Sequence, residues 1–147
     1  MSLSVEPVRP HAETEAFLAA NGWSIIRISA FSDLVGPSWK REGEHRFAFV
    51  MKDKHDNSLG RAHGGMIMSF CDDGLGVTAR VPHPNMHLVT ISFECKFIAA
   101  ARNGDLVELA CEIVQATRSL VFVRGTCMVG DRTIAIASGV WKTMPKA

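Results

Sequence analysis

The spacing of apolar and polar residues changes character several times along the chain. In "AETEAFLAANG", Ala12 to Gly22, good helix formers run up to Asn21-Gly22, and the stretch predicts a short helix. "WSIIRI" reads as extended, and "AFSDLVG" as a single helical turn ended by Gly36-Pro37. "SWKRE" and "HRFAFVMK", separated by Gly43-Glu44, predict two antiparallel strands. The polar stretch "DKHDNSLGRA" predicts a loop. "HGGMIMSFCDDGLGVTARV" then predicts a helix that is apolar nearly all round and stops at Pro82 and Pro84.

Beyond the prolines the period drops to two. In "LVTISFECKF" Val89, Ile91, Phe93, Cys95 and Phe97 alternate with Thr90, Ser92, Glu94 and Lys96, which predicts a half-buried strand with the second set on its polar face. "DLVELACEIVQ", "SLVFVRGTCMV" and "TIAIASGVWK" continue as strands. They are joined by the short turns "ARNGD", "ATRS" and "GD", which favour antiparallel neighbours. Small helices, two strands, one long helix and four strands together indicate an α+β fold. A helix without a clean polar face needs cover on most sides, and a curved antiparallel sheet around it would supply that.

Composition narrows the picture. The chain has 147 residues, 47% of them hydrophobic, which suits one ordinary domain with a full core. A net charge of +1 with scattered basic residues gives no footprint for nucleic acid or a membrane surface. No apolar run nears the roughly 20 residues that span a bilayer. The first residues lack a signal-peptide layout, so a cytoplasmic protein is the expectation. Cys71, Cys95, Cys111 and Cys127 all sit in apolar runs without C-x-x-C spacing, as reduced, buried thiols would.

Candidate chemistry is concentrated in "NSLGRAHGGMIMSFCDDGLG", residues 57 to 76. His63-Gly64-Gly65 falls at the predicted helix start, where free backbone N–H groups carry partial positive charge and glycine lets a ligand atom come close. That arrangement suits a developing oxyanion. At 3.6 residues per turn, Gly65, Ser69, Asp72 and Gly76 share a stripe of small residues. Met66, Phe70, Asp73 and Val77 share the bulkier neighbouring one. Asp72 therefore has room beside it. Asp73 is hemmed in and needs a structural partner, a hydrogen-bonding group or an arginine such as Arg61 or Arg80. Burial raises a carboxylate's pKa, as a general base near neutrality requires. Two adjacent positions point about 100° apart on a helix, so both aspartates cannot serve one reacting atom. No H-E-x-x-H supports a metal and no G-x-S-x-G supports a nucleophile elbow.

Asn57, Gly60, His63-Gly64-Gly65 and Asp72, in this order and spacing, resemble the hotdog-fold acyl-CoA thioesterases of the phenylacetic-acid-pathway and 4-hydroxybenzoyl-CoA type. The resemblance runs from about residue 30 to Met144, leaving 1–29 as an N-terminal extension with a short helix ahead of one hotdog domain, 30–147. It implies one long central helix wrapped by a curved antiparallel sheet of five to six strands. It also implies homodimers, often paired into tetramers, in which Asn57 of one chain faces Asp72 of the other.

On this resemblance Asp72 activates water or attacks the thioester carbon, and Gly64 N–H holds the thioester oxygen. His63 supports that loop, Asn57 orients the water or the carbonyl, and Thr90 takes the place of a water-positioning hydroxyl. Gly65, Ser69, Ser92 and Phe97 are substrate-side candidates, with Met66, Met68 and Phe70 as pocket walls. The turn "QATRSL", with Gln115, Thr117, Arg118 and Ser119, matches a loop near coenzyme A. Arg118 is its phosphate candidate, ahead of Lys96 and Arg102. No cofactor is implied, because coenzyme A is part of substrate and product. The leading expectation is hydrolysis of an acyl-CoA thioester. The alternatives are a non-catalytic acyl-CoA-binding module and a hotdog hydratase or dehydratase.

Overall fold

A computed structural model describes residues 11–146 of the chain. Three α-helices and seven strands follow one another as α1 (His11–Ala20), β1 (Trp23–Ile26), α2 (Ala30–Val35), β2 (Ser38–Arg41), β3 (Arg46–Val50), α3 (Gly64–Ala79), β4 (His87–Phe97), β5 (Leu106–Ala116), β6 (Leu120–Val129) and β7 (Arg132–Met144). One short 3-10 turn, Asp53–His55, interrupts the loop before α3. The strands form a single antiparallel sheet in the order β1-β2-β3-β5-β6-β7-β4. This is the hotdog arrangement, α+β, with α3 as its long helix. The sheet exceeds the expected five or six strands because β1 joins β2 at one edge, so part of the N-terminal extension is built into it. Residues 1–10 of that extension lie outside the described residues.

The apolar period of α3 explains its seat. Ile67, Phe70, Cys71, Leu75 and Ala79 recur at helical spacing and are buried against Phe47, Phe49, Leu109, Val121, Val123 and Ala137 of the sheet. Gly74 lets the helix approach closely, since a Cβ there would sit 2.6 Å from the Leu109 side chain. Phe70 belongs to this core, edge-on to Phe49, rather than to a pocket wall. The other face of β2 and β3 is covered by α1, with Leu18, Trp23, Trp39, Ala48 and Val50 in a second cluster. β3 is therefore buried on both faces, which is why "FAFV" carries no alternation.

The alternation expected in β4 breaks once. Thr90 pairs with Trp141 and Ser92 with the next residue, Val140, so Ile91 is an extra, unpaired residue. A bulge of this kind turns the strand over by one position. Thr90 lies on the helix side with buried Trp141. After the bulge, Cys95 pairs with Ala137 on the helix side. Ser92, Glu94 and Lys96 lie on the outer face. The polar-face assignment of Thr90 made from period two is thereby corrected. β4 is an edge strand: its eleven residues pair only with β7.

Candidate active site

The loop before α3 is closed by its own hydrogen bonds. Asn57 N–H donates to Arg61 O at 2.7 Å, and Asn57 Oδ1 accepts from the Leu59 and Arg61 N–H groups at 2.7 and 3.2 Å. Gly60, with φ of +70°, supplies the left-handed turn this closure needs. Two N–H donors on Oδ1 fix the orientation of the amide, and its NH2 end has no partner among the described residues. Asn57 can thus donate outward but has no acceptor to spare.

His55 anchors the same loop from beneath. It is buried, its Nδ1 accepts from Lys52 N–H at 3.0 Å, and its Nε2–H donates to Val35 O at 2.6 Å. His63 N–H donates to His55 O, so α2 and the start of α3 are tied through this one residue. Burial pushes the His55 pKa below the ordinary 6.5. Its position in a polar stretch gave the sequence no sign of this role.

At the helix start His63 is the N-cap. Its Nδ1 accepts from Gly65 N–H at 2.8 Å, and Met66 N–H and Ile67 N–H donate to its carbonyl. Of the first N–H groups of α3, Gly64's alone has no partner among the described residues, and it carries the positive end of the helix dipole. Phe97 covers this point: a Cβ on Gly64 would lie 3.3 Å from its ring. Ser69 donates back to Gly65 O, and both line a cavity of about 350 Å³ with Phe31, Val35, His63 and Met66.

Two turns further along, the aspartates separate. Asp72 Oδ1 accepts from Thr90 Oγ1 at 2.9 Å across the turned-over segment of β4. Asp73 accepts from Ser32 Oγ of α2 at 2.7 Å, so its structural partner is a hydroxyl and not an arginine. Burial raises the Asp73 pKa, the Ser32 bond opposes this, and the Asp72 charge adds to the rise. Asp72, Asp73, Gly76, Arg80, Thr90 and Trp141 line a second cavity, of about 130 Å³.

The remaining candidates lie elsewhere. Thr117 folds the "QATRSL" turn on itself by accepting from Ser119 and Leu120 N–H, and its carbonyl accepts from His83 Nε2–H just beyond the C-terminal end of α3. Gln115, Arg118 and Ser119 are exposed there, at the far end of the helix from Gly64. Lys96 pairs with Glu94, and Arg102 uses its backbone N–H on Asp105. Met68 is partly exposed on the helix. All four cysteines are free thiols. Contact with Cys127 raises the pKa of Cys71, and burial pushes Cys111 up to about 12. Among the described residues, no group of three His, Cys, Asp or Glu side chains converges as a metal would need, and no helix is long and apolar enough to cross a membrane.

Comparison with known proteins agrees with this architecture. The family model described as "Thioesterase superfamily" matches residues 59–136. A curated Pseudomonas aeruginosa protein, PA0474, named provisionally as an esterase, is 32% identical over 121 residues, covering 80% of this chain and 90% of the relative. Among solved structures, conserved protein PA5202 from Pseudomonas aeruginosa superposes with a TM-score of 0.70 at 23% identity, over 80% of this chain and 95% of that one. Protein BH2602 from Bacillus halodurans, solved with CoA, superposes with a TM-score of 0.72 at 16% identity, over 90% and 82%. Matched by that family model over more than half its length, with an unpaired Gly64 N–H and a hydroxyl-held Asp72 inside the matched span, the chain belongs to the thioesterase superfamily.

Proposed function

We propose that the protein hydrolyses an acyl-CoA thioester to a free carboxylic acid and coenzyme A, at a site shared between two copies of the chain. The observation that carries this reading is the pairing of Asp72 with Thr90 on one side and the free Gly64 N–H and Asn57 amide on the other. Asp72 lies eight helical steps beyond Gly64, about 12 Å along the axis. One carbonyl group cannot meet both in a single chain. A second copy resolves this if the unpaired edge of β4 pairs with its own counterpart, which brings the Asn57–Gly64 corner of one chain to Asp72 of the other.

In that arrangement Gly64 N–H and the Asn57 NH2 donate to the thioester oxygen. Water gives a proton to Asp72 and its oxygen forms the bond to the acyl carbon. The negative charge collects on the carbonyl oxygen, where the two donors stabilise it. Collapse breaks the C–S bond, and the departing thiolate takes up the proton held by Asp72. The Thr90 hydroxyl holds one Asp72 oxygen, leaving the other for the water. That the BH2602 protein was solved with CoA adds support for the substrate class. Arg118, exposed beyond the C-terminal end of the helix, is the cation proposed for a CoA phosphate.

The test is release of thiol from a panel of acyl-CoAs. Hydrolysis of at least one member is expected. Tight binding without turnover would favour the binding-module reading, and a change in enoyl absorbance without thiol release would favour a hydratase.

A further inference from the structure

Trp141 has no place in the chemistry so far, yet its setting is unusual. Its ring is 2% exposed and lies in a slot between two glycines. A Cβ on Gly139 would come within 2.7 Å of the six-membered ring, and a Cβ on Gly76 would come within 3.2 Å of Nε1. The slot fixes the ring and presents its N–H beside the small-residue stripe of α3. Nε1–H has no hydrogen-bond partner among the described residues, and it is not sealed off as the unpartnered Nε1–H of Trp39 is: it opens onto the space beside α3, where a donor-only group can meet a water. It borders the 130 Å³ cavity that also holds Asp72 and Thr90, and Thr90 is its cross-strand partner.

We infer that Trp141 is a water-positioning residue: its indole N–H donates to the oxygen of the water that Asp72 deprotonates. The cavity is polar and roomy enough for ordered water, and a water there needs at least two polar partners. With Thr90 on Asp72 Oδ1, a water that donates to Oδ2 and accepts from Nε1–H keeps one lone pair free to attack. Other charged groups facing the cavity are Asp73, which Ser32 already engages, and Arg80 at its rim.

This inference rests on the hydrolase reading, and the experiment separates the two. Trp141→Phe should lower kcat by about tenfold or more while KM for acyl-CoA stays within about twofold, because the loss falls on the attacking water and not on substrate binding. Replacement of Trp141 by 3-benzothienylalanine, which puts sulfur in place of the N–H at nearly the same shape, should lose as much. Full kcat with this isostere would overturn the inference. A readout without turnover is the indole N–H resonance of Trp141 in a 15N–1H spectrum, assigned by its loss in Trp141→Phe. It should move in Asp72→Asn while those of Trp23 and Trp39 stay in place. An unmoved Trp141 signal would overturn the inference even if the protein hydrolysed no thioester at all.

Discussion

The two adjacent aspartates are the sharpest case of neighbours with different physics. Asp72 meets Thr90 and an open cavity, whereas Asp73 meets Ser32 and is pushed toward its protonated form by burial. A carboxyl whose folded pKa lies above its unfolded value of 3.8 binds its proton more tightly when folded, so its contribution falls as pH rises through that interval. Asp73→Asn keeps an acceptor for Ser32 and removes this penalty. Its thermal midpoint at pH 7 should exceed that of the wild type, with a smaller difference in acid. His55 has the opposite sign. Its folded pKa is lowered from 6.5, so stability is full above that value and is lost as pH falls below it, where the unfolded chain gains a proton the folded one resists. Melting across pH 7 to about 5 should show a shallower slope in His55→Gln. The split between the aspartates was legible in the sequence because adjacent helical positions diverge by a fixed angle. Their partners were not: Ser32 is 41 positions away, and only the fold brings α2 onto α3.

Among the elements, β4 decides the site. Its alternation reads cleanly in the sequence, and that reading puts Thr90 on the wrong face, because one unpaired residue, Ile91, leaves the apolar–polar rhythm intact while reversing the side it faces. Deleting Ile91 should leave an unbroken ladder, with Thr90 still opposite Trp141 and Ser92 opposite Val140, and remove the local bend that aims Thr90 at Asp72, costing activity while far-UV circular dichroism stays strand-rich. Thr90→Val removes only the hydroxyl and should reduce kcat by about tenfold at unchanged stability. Gly139 pairs with Phe93 just past the bulge, and a Cβ there would lie 2.8 Å from Ser92 O as well as against Trp141. Gly139→Ala should therefore destabilise by about 1–3 kcal/mol, measured by urea unfolding. The long helix and the four closing strands were readable because each repeats its period over ten residues or more. β1 was readable as extended but not as a sheet member, since four residues carry no pairing information.

At the scale of the molecule, the function proposed above has each copy of the chain supply half of two sites. Gly64 and Asn57 stand at one end of α3 and Asp72 two turns along it, so the proposed reaction calls for a second copy against the β4 edge. Mixing Asn57→Ala with Asp72→Asn chains should regenerate activity, about a quarter of the wild-type value if copies exchange freely and each mixed dimer carries one intact site. The sequence implies such sharing only through family resemblance. Its physical reason, a separation of about 12 Å along one rigid helix, needs the structure. On the proposed function Asp72, and not its neighbour, turns over an acyl-CoA thioester. The most direct measurement is kcat/KM for thiol release by wild type, Asp72→Asn and Asp73→Asn, side by side on the best substrate of the panel. Asp72→Asn should lose about a hundredfold or more and Asp73→Asn less than about tenfold. Equal losses, or the larger loss at Asp73, would contradict the proposal.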